Sequence, residues 1–348
     1  MKRLELGVGS MFKVQSSKFR VQSSEFKVQS SKFINIVIGS VFIIAAILKL
    51  MSIDEFEIYI YSFDIFSFLL TTFVSRIIII GEFILGLFLI LKINYKLIWR
   101  LTFISLILFT LFLIYVAIFR QDANCHCFGE LVELSPLESI IKNLVMIALL
   151  MLGQRATDNG QQTQAQSSKF KAQSSKFKVQ SSKLLVLSST FLVFIISPPD
   201  SIYKMIYSTE KEVSTVDLYK SFDEVVKIDF TEEGLVFDSI SSFKEKENQL
   251  IVIVSSGCKY CRLGLKKLSL IMKNEDLATD NVDIFIWGSP EGIENFRNET
   301  MTEDYSYWHI MPNRAIEITY GRFPIFIFLK EKDIIKIGDF RDVDDAFI

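Results

Sequence analysis

Four stretches of this chain are apolar over lengths that a lipid bilayer, rather than an ordinary protein core, accommodates. A hydrocarbon core takes roughly 20 apolar residues as a helix, and residues 34–51, 66–91, 98–118 and 137–152 reach or approach that length. A fifth run, 184–196, is shorter. It extends over Ser197 and ends at Pro198-Pro199, where the helix loses its amide donors. Its length suits a span, and also a buried helix or a dip into one leaflet; the reading taken here is a fifth span over 184–199. Totals alone do not separate this chain from a soluble one, because 50% apolar and 22% charged residues are close to the globular average. The runs decide it, rich as they are in Ile, Leu and Phe. A net charge of -2 supplies no field that would draw the chain to nucleic acid.

Orientation follows from Lys and Arg in the short flanks, which stay on the cytoplasmic side. Lys2, Arg3, Lys13, Lys18, Arg20, Lys27 and Lys32 precede the first run; Lys92, Lys96 and Arg100 follow the second; Arg155, Lys169, Lys171, Lys176, Lys178 and Lys183 follow the fourth. The alternate loops are acidic, with Asp54, Glu55, Glu57 and Asp64 in one and Asp122, Glu130, Glu133 and Glu138 against Arg120 in the other. The N-terminus is therefore expected inside, and with a fifth span the C-terminal half lies outside. Residues 1–33 are polar and lack a small-residue cleavage site, so the first run is expected to remain as an anchor.

A heptapeptide, Phe-Lys-Val-Gln-Ser-Ser-Lys, recurs from Phe12, Phe19 and Phe26, and again from Gln164 through Phe170 and Phe177 to Lys183. Its apolar residues sit two apart, which is not coiled-coil spacing, and its odd period would flip a strand's apolar face at each copy. The expectation is a solvated, unstructured low-complexity insert. The competing reading is a basic tether to anionic lipid at the inner surface.

The four cysteines form two close pairs. Cys125-His126-Cys127-Phe128-Gly129 lies in the acidic loop between the third and fourth runs; Cys258-Lys259-Tyr260-Cys261 lies in the C-terminal half. By the charge rule both face the compartment outside the cytoplasm, where disulfides persist. Residues 249–255 read as a buried strand, Gly257 allows a tight turn, and 262–273 has the apolar spacing of an amphipathic helix. Cys258 therefore opens a helix, where free N–H groups and the dipole favour a thiolate. Further strands are expected at 282–287 and after Pro324, which stands at a strand mouth. The Cys-x-x-Cys could also be half of a zinc site, but only Cys125 and Cys127 are left to complete one, and no metal is expected.

This order of strand, Cys-x-x-Cys, helix and late Pro-strand resembles a thioredoxin-like domain of the secreted, membrane-tethered kind, over about residues 230–348. The resemblance implies that Cys258 attacks, Cys261 resolves, and Pro324 is a cis proline, with Phe323 where bound substrate backbone pairs. Three departures are visible: no buried acid in the preceding strand, Ser256-Gly257 in place of the usual tryptophan, and a long gap before Pro324. Residues 34–152 carry Gly39-Ser40-Val41-Phe42, Lys49-Leu50, Phe56, Glu82, Gly86, Cys125-x-Cys127-Phe128-Gly129, Ser135 and Lys142-Asn143. They are similar to the methylamine-utilisation MauE family, relatives of DoxX-like membrane proteins. That family is associated with maturation of a disulfide-rich periplasmic dehydrogenase, which implies thiol-disulfide handling and an association with methylamine metabolism.

Two cysteines one residue apart close only a small, strained ring, and strained disulfides are the labile, oxidising ones; two free thiols, or pairing elsewhere, remain alternatives. Ionisable groups within spans are costly, and Lys49, Arg76, Glu82 and Lys142, with Asn143, invite either a polar pocket below the cysteine loop, suited to a quinone head group, or plain helix-to-helix pairing. Pairing is the favoured reading, and no other cofactor is implied.

The expected architecture is an α-helical membrane bundle with a C-terminal α/β thioredoxin-like domain. Its parts are cytoplasmic repeats (1–33), a four-helix domain (34–152), a repeat-bearing cytoplasmic linker (153–183), the fifth span (184–199), an external tether (200–229) and the redox domain (230–348). The expected function is a thiol-disulfide oxidoreductase or redox relay of a bacterial inner membrane, with protein thiols or disulfides outside the cytoplasm as partners and the bilayer as its setting. The alternative is a non-catalytic assembly factor that grips clients with a thioredoxin-like fold.

Overall fold

The computed structural model describes residues 33–120, 124–129, 132, 134–161, 171–206, 225–231, 234–237, 246–331 and 333–344. The repeats at 12–32 and the start of the second set, through Phe170, lie outside these residues. The chain divides into two compact units: Met1–Phe56 with Arg76–Ser197, and Glu57–Ser75 with Pro198–Ile348.

Helices α1 (Phe33–Met51) and α2 (Ile53–Tyr61) are followed by α3 (Phe68–Leu91), α4 (Tyr95–Tyr115), α5 (Pro136–Gln161) and α6 (Lys171–Ile196). A π turn, Val116–Arg120, prolongs α4. Phe33–Met51, Phe68–Leu91, Tyr95–Arg120 and Pro136–Gln154 are long and apolar enough to cross a membrane. Each matches an expected run to within a few residues. Ile38, Leu89, Leu106 and Leu150 are buried between helices, whereas Leu108, Leu111, Ile141 and Leu144 face outward. An outward apolar face of this extent suits a lipid solvent, since lipid tails are as apolar as leucine.

Small and polar residues set the helix contacts. Gly39 of α1 and Gly86 of α3 cross so closely that a Cβ on either would stand 2.6 Å from the other's carbonyl oxygen. The Trp99 indole N–H donates to the Leu150 carbonyl (3.1 Å), and the Asn143 amide donates to Thr110 Oγ1 (3.3 Å), both joining α4 to α5. A reciprocal cap opens α5: the Ser135 N–H donates to Glu138 Oε2 (2.8 Å) while the Glu138 N–H donates to Ser135 Oγ (3.3 Å).

Three expectations need correcting. Residues 171–183 of the second repeat are helical, not unstructured, because they form the first half of α6. Gln, Lys and Ser are compatible with a helix, the segment has neither Gly nor Pro, and an apolar helix behind it supplies the nucleus. Likewise α5 runs on to Gln161, into what was expected to be linker. The fifth apolar segment ends at Ile196, short of the expected 184–199 span, and the chain restarts after Pro198-Pro199 as α7 (Asp200–Ile206). Lys183–Ile196 and Asp200–Ile206 make a fifth candidate only as one broken span.

The second unit contains a seven-stranded sheet of order β2-β1-β5-β4-β3-β6-β7. Its strands are β1 (Val226–Thr231), β2 (Gly234–Phe237), β3 (Asn248–Ser255), β4 (Val282–Trp287), β5 (Ser306–His309), β6 (Ile325–Lys330) and β7 (Asp333–Gly338). β3, β4 and β5 run parallel; β6 is antiparallel to β3, and β7 to β6. Helix α8 (Lys259–Asn274) links β3 to β4, and the Phe323-Pro324 bond before β6 is cis. This is a thioredoxin-like core. The long gap before Pro324 is filled by α9 (Pro290–Thr300), β5 and α10 (Pro312–Thr319).

β3 is apolar without alternation because both faces are covered. Val252 and Val254 join Leu265, Leu268 and Ile271 of α8, while Ile251 and Ile253 join Ala315 and Ile318 of α10. The domain begins earlier than residue 230, since β1 starts at Val226 and pairs with β5. The expected tether is also partly fastened: Asp200, at the start of α7, bridges Lys267 (3.5 Å) and Arg341 (2.9 Å). Tyr61 and Phe68 belong to the same core, with Lys267 Nζ 3.6 Å over the Phe68 ring.

The glycine crossing is testable. Gly86→Ala is expected to lower the unfolding midpoint in detergent, at a cost of about 1–3 kcal/mol for overpacking. Gly81→Ala on the same helix, where an added Cβ meets nothing within 4 Å, should leave the midpoint unchanged.

Candidate functional site

β3 delivers the chain to Ser255, Ser256-Gly257 turns it, and Cys258 caps the N-terminus of α8 in an extended conformation (φ -87°, ψ 118°). The turn is closed by the Cys258 N–H donating to the Ser255 carbonyl (3.1 Å), and the Cys258 carbonyl accepts from the Arg262 N–H (3.2 Å). The Cys261 N–H points at the Cys258 sulfur from 3.3 Å. Cys258 is half-buried and Cys261 fully buried, both as free thiols.

These surroundings split the two sulfurs. Hydrogen bonding from the Cys261 side chain pulls the Cys258 thiol down to about 6. Burial opposes the shift, while the amides of Cys261 and Tyr260 and the Arg262 charge add to it. For Cys261 burial dominates and pushes the thiol far up. At neutral pH one sulfur favours the thiolate and the other the thiol, a division that suits attack by the first and resolution by the second.

The Phe323 carbonyl lies 4.0 Å from the Cys258 sulfur, so the residues expected to meet substrate, Phe323 and Pro324, border the nucleophile. Other neighbours were not singled out in the sequence. Parallel pairing sets Trp287 beside Ser255, and its ring meets that of Phe323 edge-on at 6.4 Å. Tyr260 stacks on Phe340 (4.8 Å). Arg262 donates to the Ser256 carbonyl (2.7 Å) and pairs with Glu299 (2.8 Å), bracing the turn. Only the strand register, invisible in a linear reading, could have found Trp287.

β4 contains one buried acid, Asp283, which accepts from Lys246 (2.8 Å), Gln249 (2.8 Å) and Trp308 (2.9 Å). It pairs with Ile251, four residues before Ser255, so it lies roughly 13 Å along the strand from the cysteine end. It holds strands together and does not assist the thiols.

In the other unit Cys125 and Cys127 are joined by a disulfide, with Cα atoms 5.3 Å apart. His126 and Gly129 take positive φ (51° and 68°), and the Gly129 N–H donates to the His126 carbonyl (3.2 Å). Gly129 presses onto the end of α1: a Cβ there would collide with Ser52 Oγ and lie 2.8 Å from the Leu48 carbonyl. This explains the glycine of the Cys-x-Cys-Phe-Gly run. Both cysteines are 2% exposed and pack with Leu113, Phe109, Phe128, Leu134 and Ile140. Ser139 Oγ, which the sequence did not flag, lies 3.0 Å from Cys125 Sγ.

The five intramembrane polar residues do not form one pocket. Lys49 Nζ grips both Glu82 oxygens (2.6 and 2.7 Å), tying α1 to α3. Removing one partner of such a buried pair costs about 3–5 kcal/mol. Lys49 also lies 6.0 Å from the Phe109 ring and Lys142 4.3 Å from the Phe128 ring, so both cations border the cysteine cluster. Asn143 bonds to Thr110, as above. Arg76 departs from the expected grouping: its Nε donates to the Ser197 carbonyl (2.8 Å), an acceptor left free where Pro198-Pro199 ends the helix.

A helical membrane domain with a Cys-x-Cys loop, joined in one chain to a thioredoxin-like domain with a Cys-x-x-Cys helix cap, defines the class. Residues 27–155 match the family model of methylamine utilisation protein MauE, so the chain carries a MauE-family membrane domain fused to a thioredoxin-like part and is a multi-pass membrane protein. It is similar to Protein TlpB of Flavobacterium psychrophilum, 28% identical over 312 residues that cover 80% of this chain and 83% of that one. No solved structure matches the chain.

The split between the thiols gives a pH dependence. Because the Cys258 value is lowered to about 6, its alkylation rate should rise through pH 6 and level off above pH 7. An ordinary thiol would keep gaining rate through about pH 8.5. Stopped-flow alkylation of the reduced protein checks this, and a rate still climbing above pH 8 would contradict the assigned thiolate.

Proposed function

We propose that this protein is a membrane-bound thiol-disulfide oxidoreductase acting on proteins outside the cytoplasm. One observation carries the reading: Cys258 sits at a helix N-terminus, its sulfur receiving the Cys261 N–H, beside the Phe323-Pro324 loop. In the forward direction the Cys258 thiolate attacks a client disulfide, one client sulfur leaves as thiolate, and a Cys258–client mixed disulfide forms. Cys261 then gives up its proton and attacks Cys258 Sγ. The client sulfur is released as a thiol, leaving a Cys258–Cys261 disulfide. The reverse sequence oxidises a client dithiol.

In the same reading the two pairs exchange with each other: the Cys258/Cys261 dithiol reduces the Cys125–Cys127 disulfide and becomes a disulfide itself, two electrons and two protons changing hands. This reading has all four cysteines on the outer face of a bacterial inner membrane and the N-terminus inside, and the alternation of basic and acidic flanks supports it. A quinone head group is the electron-acceptor class this reading allows beside Lys49 and Lys142; the exchange steps do not depend on it. Methylamine metabolism enters through the family's name, as one source of clients.

The burial of Cys125 and Cys127 favours a second reading, in which their disulfide is structural and the membrane domain anchors a thioredoxin-like domain that works, or merely grips clients, alone.

Thiol trapping in cells separates these readings. Cys261→Ser should accumulate client mixed disulfides through Cys258, and Cys258→Ser should trap none and lose exchange activity with a model disulfide by at least about a hundredfold. If Cys258→Ser keeps exchanging, the oxidoreductase reading fails; if it keeps only client binding, a holdase is left. If the full-length protein's Cys125–Cys127 pair never becomes reduced during turnover, the structural reading of that pair prevails.

A further inference from the structure

We infer that Ser139 gives the Cys125–Cys127 disulfide a polarity, with Cys125 as the sulfur that leaves and Cys127 as the sulfur that is attacked. The inference rests on the reading of that pair as an exchange centre and goes beyond it by assigning the two roles.

The two cysteines are alike in burial and belong to one cluster of apolar side chains, so solvent does not distinguish them. Hydrogen bonding does. Ser139 Oγ lies 3.0 Å from Cys125 Sγ, and Ser139 is fully buried at the end of the first turn of α5. The reciprocal Ser135–Glu138 cap fixes that turn, and the Cys125 N–H is fastened to the Leu134 carbonyl (3.0 Å), so hydroxyl and sulfur are held from both sides. One turn further along α5, Lys142 brings a cation over Phe128, the residue after Cys127.

A disulfide sulfur is a poor acceptor, whereas a thiolate is a strong one. The Ser139 O–H bond therefore strengthens as charge develops on Cys125, in the transition state and the product. In thiol-disulfide exchange the sulfur with the lower thiol pKa leaves faster. The balanced step has the incoming thiolate bond to Cys127 Sγ while the Cys125–Cys127 bond breaks. Its electron pair stays on Cys125, which the Ser139 hydroxyl stabilises. The product is a mixed disulfide at Cys127. Ser139 touches a reacting atom and so acts as a catalytic residue of this step.

Two measurements on the full-length protein in detergent test this. In a Cys258→Ser, Cys261→Ser background the probe is dithiothreitol. Adding Ser139→Ala should slow reduction of Cys125–Cys127 about fivefold and move the midpoint of Cys125 alkylation to higher pH, whereas Ser139→Thr, which keeps the hydroxyl, should retain both values. An unchanged rate and midpoint in Ser139→Ala overturn the proposal. Trapping supplies the second arm: in Cys261→Ser, with the Cys125–Cys127 disulfide intact, the Cys258 thiolate should open that bond, and quenching with iodoacetamide should leave a Cys258–Cys127 bridge with the released Cys125 alkylated, located by mass spectrometry. A bridge through Cys125 instead reverses the polarity and sinks the assignment while leaving the relay intact. No bridge at either sulfur sinks the relay, and the dithiothreitol arm then decides the polarity by itself.

Discussion

Within a hydrocarbon layer a backbone amide finds no water, so each crossing segment must satisfy its own hydrogen bonds as a helix. Most of the first unit follows from that demand. The helices are long and apolar outward, and they meet where glycines let backbones approach, as at Gly39 and Gly86. The ionisable side chains among them are engaged: Lys49 with Glu82, Arg76 with the Ser197 carbonyl, Lys142 over an aromatic ring. Backbone that is not helical, such as the Cys125–Gly129 loop, is confined to a helix end, where Gly129 presses it against Leu48 and Ser52.

The second unit works from the opposite premise. Helix α8 starts with amides that have no partner inside the helix, and a sulfur at the cap position is the acceptor they receive. The side chain that caps the helix is thereby the one on which a thiolate is favoured, so one contact serves both the helix end and the charge on the sulfur. The deep burial of Cys261 is a consequence of the same geometry. One turn into α8 the side chains face the sheet, so the second thiol is taken from water and kept protonated.

Much of this was legible in the residues because it depended on local signals. Apolar length located four spans, the Val282–Trp287 strand was read to the residue, and Gly257-Cys258 before an amphipathic run marked a helix cap. What escaped depended on register or on tertiary contact. Strands β1 and β2 are short and gain their place from pairing with β5 and with each other, not from an apolar pattern. Trp287 reaches the site through strand pairing. Arg76 carries the charge and depth expected of the Lys49 and Glu82 group, yet a free carbonyl at a proline-terminated helix captures it. The repeat at 171–183 has no apolar periodicity of its own, and its helix follows from the segment to which it is joined.

The two cysteine pairs share a principle despite their different settings. In each, a hydrogen-bond donor is placed on one sulfur: the Cys261 amide on Cys258, and the Ser139 hydroxyl on Cys125. A donor placed on a sulfur stabilises negative charge there, whichever way electrons move. In the proposed exchange it would lower the cost of the attacking thiolate on Cys258 and of the departing one on Cys125. A thiolate at Cys258 attacking Cys127 would thus begin and end with its charge on a supported sulfur. The same supports act in reverse by microscopic reversibility, so they speed exchange without setting its direction. In the proposed exchange, direction would be left to the relative stability of the two disulfides and to whatever clients and acceptor load them.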